Sequence, residues 1–293
     1  MILRDFWRRS NRWLSVLTIV SFGLVTEGCG SQYAVLDPKG PVARAELHLI
    51  ESTSIYMGVV ILFVLVLFGI TVWRFRDRPG RGAPYRPEWE RSQWLEYVLF
   101  AVPVLIVALI AVPTVQQTFA IDRLPPAKRP LVIDVTSLDY KWLFQLPKQG
   151  IATVNYIDVP VGVPLLFELT ANSPMNTFWV PQLGGMEFAM PGRVLPLYLQ
   201  ADAAGVYRGD SANFSGVGFA HMVFHVHAVA RQAFRGWVTR VRRGSPALTL
   251  KGYRQLLAFG TSPPKSFSSY PSQTFPTATH GFTLQGGMYK EPN

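Results

Sequence analysis

Three histidines, His221, His225 and His227, fall within HMVFHVHAV at 221–229. On a strand of period two they share one face, with Met222, Phe224, Val226 and Ala228 on the other. Three imidazoles on a face could bind zinc or copper, stay solvated, or meet a partner. The stretch itself offers no carboxylate or thiolate to complete a ligand set. Overlapping it, DSANFSGVGFAHMVF at 210–224 spaces Ser211, Ser215, Phe219 and Met222 at intervals of four, four and three. Of these only Met222 is a soft-metal ligand, and a thioether alone does not hold copper. The single cysteine, Cys29, lies far from this region. It forms no intrachain disulfide, and the thiolates that blue and binuclear copper centres need are missing. One more residue could do chemistry: Glu96, an acid at the edge of an apolar run, where ionisable groups are costly and tend to be functional.

The elements that would position these residues are membrane spans and a β-domain. The 293 residues are 49% apolar with a mean hydropathy of +0.19, too apolar for a disordered chain. The net charge of +10 is not a nucleic-acid signature, since no such motif accompanies it. Arg74, Arg76, Arg78, Arg81, Arg86 and Arg91 instead crowd one segment between two uncharged runs, as positive-inside topology requires. Those runs, 52–73 and 97–121, are each long enough to cross about 30 Å of hydrocarbon as a helix. The segment 74–96 is then the cytoplasmic loop, and both ends of the mature chain face outward.

Residues 1–28 read as a signal peptide: Arg4, Arg8, Arg9 and Arg12, then the apolar stretch Trp13–Thr26, then Glu27-Gly28-Cys29. Gly28 before Cys29 resembles a lipoprotein signal, in which the cysteine is lipidated. The alternative is an uncleaved anchor with an incidental cysteine. Residues 29–51 form an outer segment.

From 122 the texture changes to a proline-rich linker (LPPAKRP, 124–130) and short β-type runs at 131–138, 141–146, 152–159, 164–171, 176–183, 194–201 and 221–229. This spacing predicts an antiparallel sandwich or barrel. Residues 234–243 fit either a helical face or an alternating strand. A short helix is expected at 248–257, and the aromatic-rich end from Thr261 has no period of either kind.

Two spanning helices followed by an outward β-domain resemble subunit II of the haem-copper oxidases. LDPKG at 36–40, WLEYVLFAVPVLIV around Glu96, QGIATVN at 149–155, NSPMNTFWVPQLGG at 172–185 and SGVGFAHM at 215–222 sharpen the likeness to the cytochrome bo-type ubiquinol oxidase branch. The fold so implied is a membrane protein of α+β class: two transmembrane helices, a cupredoxin-like antiparallel β-sandwich (122–245) and a C-terminal helix and tail (246–293). It favours the strand reading of 234–243.

The resemblance also gives meaning to the spacing at 211–222. In cytochrome c oxidases of this family these positions hold a binuclear copper centre. Here Asn176 and Phe219 stand for its two histidines, Ser211 and Ser215 for its cysteines, and Asn213 for its acidic backbone ligand. Met222 alone remains. The implied function is a subunit without a redox cofactor of its own in a proton-pumping ubiquinol oxidase of the bacterial inner membrane. The haems and copper would lie in the partner subunit I, with small oxidase subunits alongside. Glu96 matches a glutamate at the mouth of a proton-uptake pathway, against the plainer reading of an ion pair with Arg91. Trp142 matches a tryptophan that carries electrons where copper is present, against a packing role. The competing functions are a membrane-anchored copper carrier using His221, His225 and His227, a copper-less cytochrome c oxidase subunit, and a free-standing lipoprotein module.

Overall fold

A computed structural model describes residues 33–76, 92–121 and 129–275, with short strands at 283–285 and 288–290. Cys29, the leader 1–28, Arg91 and most of the arginine-rich loop lie outside the described residues.

Two long helices come first. α1 (Pro41–Phe75) opens on Gly40 as its N-cap with Pro41 in the first turn, where a missing N–H costs nothing. It begins well before residue 52, because AELHLIEST continues the helix beyond the apolar run. At 35 residues it is roughly 52 Å long at 1.5 Å per residue. α2 (Gln93–Ile121) carries Pro103 and Pro113 inside it and Glu96 in its first turn, so Glu96 is helical rather than part of the preceding loop. The apolar windows of both helices are uncovered by the rest of the chain, as surfaces meant for lipid or a partner helix would be.

The outer part is a two-sheet sandwich. β1 (Leu131–Leu138), β2 (Lys141–Leu146), β3 (Ile151–Val154), β5 (Leu165–Ala171) and β8 (Leu195–Leu199) form one sheet, joined at its edge by β11 (Lys265–Phe267). β4 (Tyr156–Pro160), β6 (Asn176–Trp179), β7 (Met186–Ala189), β9 (Gly205–Ser211) and β10 (Val223–Val229) form the other. Pairing is mostly antiparallel, with parallel contacts between β1 and β5 and between β4 and β10. The run 152–159 is two strands rather than one. Asn155 takes a left-handed conformation (φ 59°) and passes the chain from one sheet to the other. Its side chain holds the corner, accepting from the Trp142 N–H at 2.8 Å and donating to the Ser262 carbonyl at 2.7 Å.

Between the sheets Phe178 and Phe224 stack at 4.5 Å, and Trp142 meets both edge-on at 5.2 and 5.7 Å. Such pairs are worth about 0.5–1.5 kcal/mol each beyond the area they bury. β2 is buried on both faces. Sheet packing covers one; residues from 248 onward cover the other, with Leu248, Tyr253 and Leu256 on Leu138, Leu143 and Val154.

Residues 231–244 correct the strand reading. They form α3 (Arg231–Gly244), which buries Phe234, Trp237, Val238 and Val241 and leaves Thr239 exposed. The apolar residues recur at three and four, so a helix buries four of them where a strand would face Thr239 inward with Trp237. The run at 221–229 is also shorter than read, because Phe219–His221 is a 3-10 turn and His221 is not on β10.

α4 (Leu250–Leu256) is fixed by a buried cation. Lys141, 3% exposed, donates through Nζ to the Leu256 carbonyl at 3.0 Å and the Ala258 carbonyl at 2.7 Å. The first is among the carbonyls a helix end leaves unpaired, and the second lies in the turn just past it. Burial lowers the Lys141 pKa, a pull that Asp139 opposes. Lys141→Met is expected to lower unfolding stability by about 2–3 kcal/mol, the worth of charged hydrogen bonds to groups that stay buried. Thermal melts and proteolysis within 246–275 would read it; an unchanged melt would show that the two carbonyls find water.

Candidate functional site

Asn176 opens β6 and is 2% exposed. Its Nδ2 donates to Ser137 Oγ at 2.8 Å and to the Pro174 carbonyl at 3.0 Å. Its Oδ1 accepts from Ser211 Oγ at 3.1 Å, where β9 ends. Ser137 Oγ in turn lies 3.2 Å from Ser173 Oγ. A chain of neutral hydrogen bonds therefore ties β1, β6 and β9 together at the sandwich end.

The loop that follows Ser211 is closed by the Ser211 N–H to the Met222 carbonyl, 3.3 Å, and the Ala212 N–H to the Thr177 carbonyl, 3.1 Å. Asn213 Nδ2 donates to the Met175 carbonyl at 3.0 Å. Phe219 packs edge-on to Phe214 at 5.4 Å. Met222 is 1% exposed, a core residue. Ser215 Oγ is buried with no partner among the described residues. Tyr140 lies against the loop glycines, and a Cβ on Gly218 would fall 2.4 Å from its ring. The loop is thus held by packing and hydrogen bonds that do not call for an ion.

Its donors are two amides, two hydroxyls and one thioether. A copper pair needs thiolates and imidazoles, so the residues present do not fit a binuclear copper centre. Among the described residues no three His, Cys, Asp or Glu side chains converge as metal ligands. His221 sits in the turn, while His225 and His227 stand outward on β10. His227 Nδ1 instead meets Asp158 Oδ1 at 2.9 Å. Burial raises the Asp158 carboxyl, against the opposing pull of His227 and Arg240. Nothing in the residue pattern points to this partner: Asp158 comes from β4, in parallel register with β10.

Trp142 is fully buried between Phe178 and Phe224, and its indole N–H has no partner among the described residues. That is a core position. Glu96 is half-buried, and its N–H bonds the Ser92 carbonyl at 3.0 Å as α2 begins.

Residues 131–229 match the family described as the periplasmic domain of cytochrome c oxidase subunit II. Quinol oxidase subunit 2 of Bacillus anthracis is 41% identical over 270 residues, covering 91% of each chain. The chain belongs to the quinol oxidase subunit 2 family. Ubiquinol oxidase subunit 2 of Acetobacter aceti is 37% identical, covering 88% of this chain and 85% of its own. Cytochrome bo(3) ubiquinol oxidase subunit 2 of Pseudomonas aeruginosa is 35% identical, covering 90% and 79%. This is the quinol oxidase type of haem-copper oxidase subunit II, and the cupredoxin-like sandwich after two apolar helices is the architecture expected of it. A quinol oxidase subunit II has a membrane anchor in α1 and α2.

Proposed function

We propose that the chain is the subunit 2 of a proton-pumping ubiquinol terminal oxidase and carries no redox centre of its own. The observation that carries the reading is 41% identity to a quinol oxidase subunit 2 over 91% of the chain, combined with a loop at 211–222 whose donors do not fit a copper pair. Quinol dissolves in the bilayer and can pass electrons directly to a haem-bearing subunit I, so no copper relay is needed outside the membrane. α1 and α2 pack beside that subunit, and the sandwich caps its outer, periplasmic face. The arginine-rich loop lies on the cytoplasmic side of the bacterial inner membrane, and Cys29 is the lipidated residue after signal cleavage. Glu96, at the cytoplasmic end of α2, serves proton uptake.

Purifying the tagged full-length chain from native membranes in mild detergent tests this. The expected result is a visible haem spectrum and quinol-dependent oxygen uptake that co-purify with the tag. The chain expressed alone should hold no stoichiometric copper. Two tightly bound coppers with thiolate-type absorption, or a preparation without haem, would overturn the assignment.

A further inference from the structure

α1 sets which end of the sandwich faces the membrane. A Cβ on Gly40 would meet the Gln200 and Leu183 carbonyls, one on Gly184 would meet Val42 and Leu199, and one on Gly185 would lie 2.7 Å from Glu46 Oε1. Val42 and Glu46 share a cleft with Met186, Glu187, Leu197 and Tyr198. From 40 to 46 the helix descends about 9 Å. Over the same stretch its neighbours shift along the β8 run from 200 to 197 and along the β7 run from 184 to 187, about 10 Å of strand. α1 therefore runs beside these two strands, toward the end where Ala189 pairs with Asn176 and Leu195 with Leu169. From Glu46 the helix needs only about 9 Å more to reach the uncharged run at Ser52. The strands end within about 7 Å, so that end of the sandwich lies close to the hydrocarbon border.

The Ser211–Met222 loop hangs from this end, and it is apolar. Residues 212–220 carry no charge, and Phe214 and Val217 are 73% and 86% exposed. Exposed Met175, and Phe259 edge-on to Tyr140 at 5.0 Å, extend the patch. Tyr140 in turn underlies Gly216 and Gly218. Two of the lost copper-ligand positions brace it. Phe219 packs edge-on to Phe214 at 5.4 Å, and Asn213 Nδ2 holds the Met175 carbonyl at 3.0 Å. Apolar surface gathered and displayed in this way marks a contact site.

Lipid does not suit such a loop. Irregular backbone exposed to hydrocarbon leaves polar groups without partners. Residues 212–220 also lack the Lys, Arg, Trp and Tyr that anchor a segment at a lipid surface. A protein surface at the same height fits, and it continues the contact offered below by the uncovered apolar windows of α1 and α2. The loop springs from β9 and β10, with β6 between them and the β7 edge that α1 follows. It therefore stands beside α1 and reaches over whatever packs there. We propose that loop 212–220 is an apolar foot seated on the outward face of the haem-bearing subunit, with Phe214 and Val217 as its anchors. This seat presupposes the quinol oxidase assignment and is the surface through which the sandwich meets its partner.

The test uses the tagged full-length chain, purified in mild detergent from membranes that make the whole oxidase. Phe214→Asp combined with Val217→Asp should lower haem per tagged chain at least about tenfold, because a few anchors dominate such a contact. Val206→Asp, at a residue 63% exposed on the membrane-distal half of β9, should leave haem retention unchanged. Both side chains of the double variant are exposed, so the melt of the chain itself should not move. A photo-crosslinking residue at position 217 of an otherwise unaltered chain should capture the haem-bearing subunit, a readout that stands even if the double variant folds poorly. Full haem retention in the double variant overturns the proposal, as does a crosslink to lipid alone, which gives the loop to the bilayer. A wild-type preparation with no haem would instead remove the subunit assignment, and the foot with it.

Discussion

Replacing Asn176 and Phe219 by His and Ser211 and Ser215 by Cys is expected to produce a coloured protein that binds two coppers, with Asn213→Glu supplying the remaining family element. The spacing at 211, 215, 219 and 222 is intact, and the fold already sets Asn176 against Ser211. Asn176 and Ser211 touch through their side chains at 3.1 Å, and Met222 is a buried core residue. The Ser211 N–H to Met222 carbonyl bond sets the loop length independently of any ligand. The substitutions remove the Asn176 bonds to Ser137 and Ser211, costing roughly 1 kcal/mol each in the metal-free protein. Ser137 keeps Ser173 as a partner, so no buried hydroxyl is stranded. The metal-free variant should therefore melt lower than the wild type and recover on copper addition. Elemental analysis and visible absorption would read the outcome. A folded variant that takes up no copper would show that the Tyr140-packed loop has left the ligand geometry behind.

Glu96→Ala is expected to slow quinol-dependent oxygen uptake by up to roughly a hundredfold, the lower end of what a proton-transfer group contributes, with haem content unchanged. Glu96 lies in the first turn of α2, half-buried, where an apolar helix follows a basic loop. A carboxyl there can exchange protons with water and hand them inward, which Ala cannot do. The competing role, an exposed pair with Arg91, would be worth less than about 1 kcal/mol and would not touch turnover. Glu96→Asp separates the two, because it keeps the acid and shortens its reach: partial rescue fits proton uptake. Full activity in both Ala and Gln variants at normal haem content would reduce Glu96 to a surface charge.

Where the sequence was readable, one physical rule dominated a segment. LVIDVTSL and KWLFQL are rich in apolar, β-branched or aromatic residues and free of Gly and Pro, and β1 and β2 match them residue for residue. The two uncharged runs could be nothing but long helices. β7 and β9 went unseen for opposite reasons. MEFA is four residues long between glycine and proline. GVYRGDS carries Gly209 mid-strand, which reads as a breaker. In the fold that glycine makes room for Phe224, whose ring would lie 2.1 Å from a Cβ there. At 231–244 periodicity alone left helix and strand open, and the family likeness tipped the expectation the wrong way. The lost copper-ligand positions were legible as a spacing, but what replaced the copper was not. The Ser137–Asn176–Ser211 chain and the Asp158–His227 pair both join residues distant in sequence through strand register.

The length of α1 also acts at a distance. About 20 residues suffice to cross the hydrocarbon, so several turns of this 35-residue helix stand clear of it. Its N-terminal end and the residue before the cap are bolted to the sandwich: Lys39 N–H to the Gln182 carbonyl at 2.7 Å, Asp202 N–H to the Lys39 carbonyl at 2.8 Å, and Arg44 to Asp202 at 2.5 Å. Gly40 fits so closely that a Cβ would fall 2.3 Å from the Gln200 carbonyl. The helix is therefore a stiff shaft, and the compass bearing of the sandwich over the bilayer is dictated by helical phase. Each residue added to or removed from the emerging turns would swing it by about 100° and raise or lower it by about 1.5 Å. That segment can change length only in near-whole turns if the same face is to meet the partner subunit.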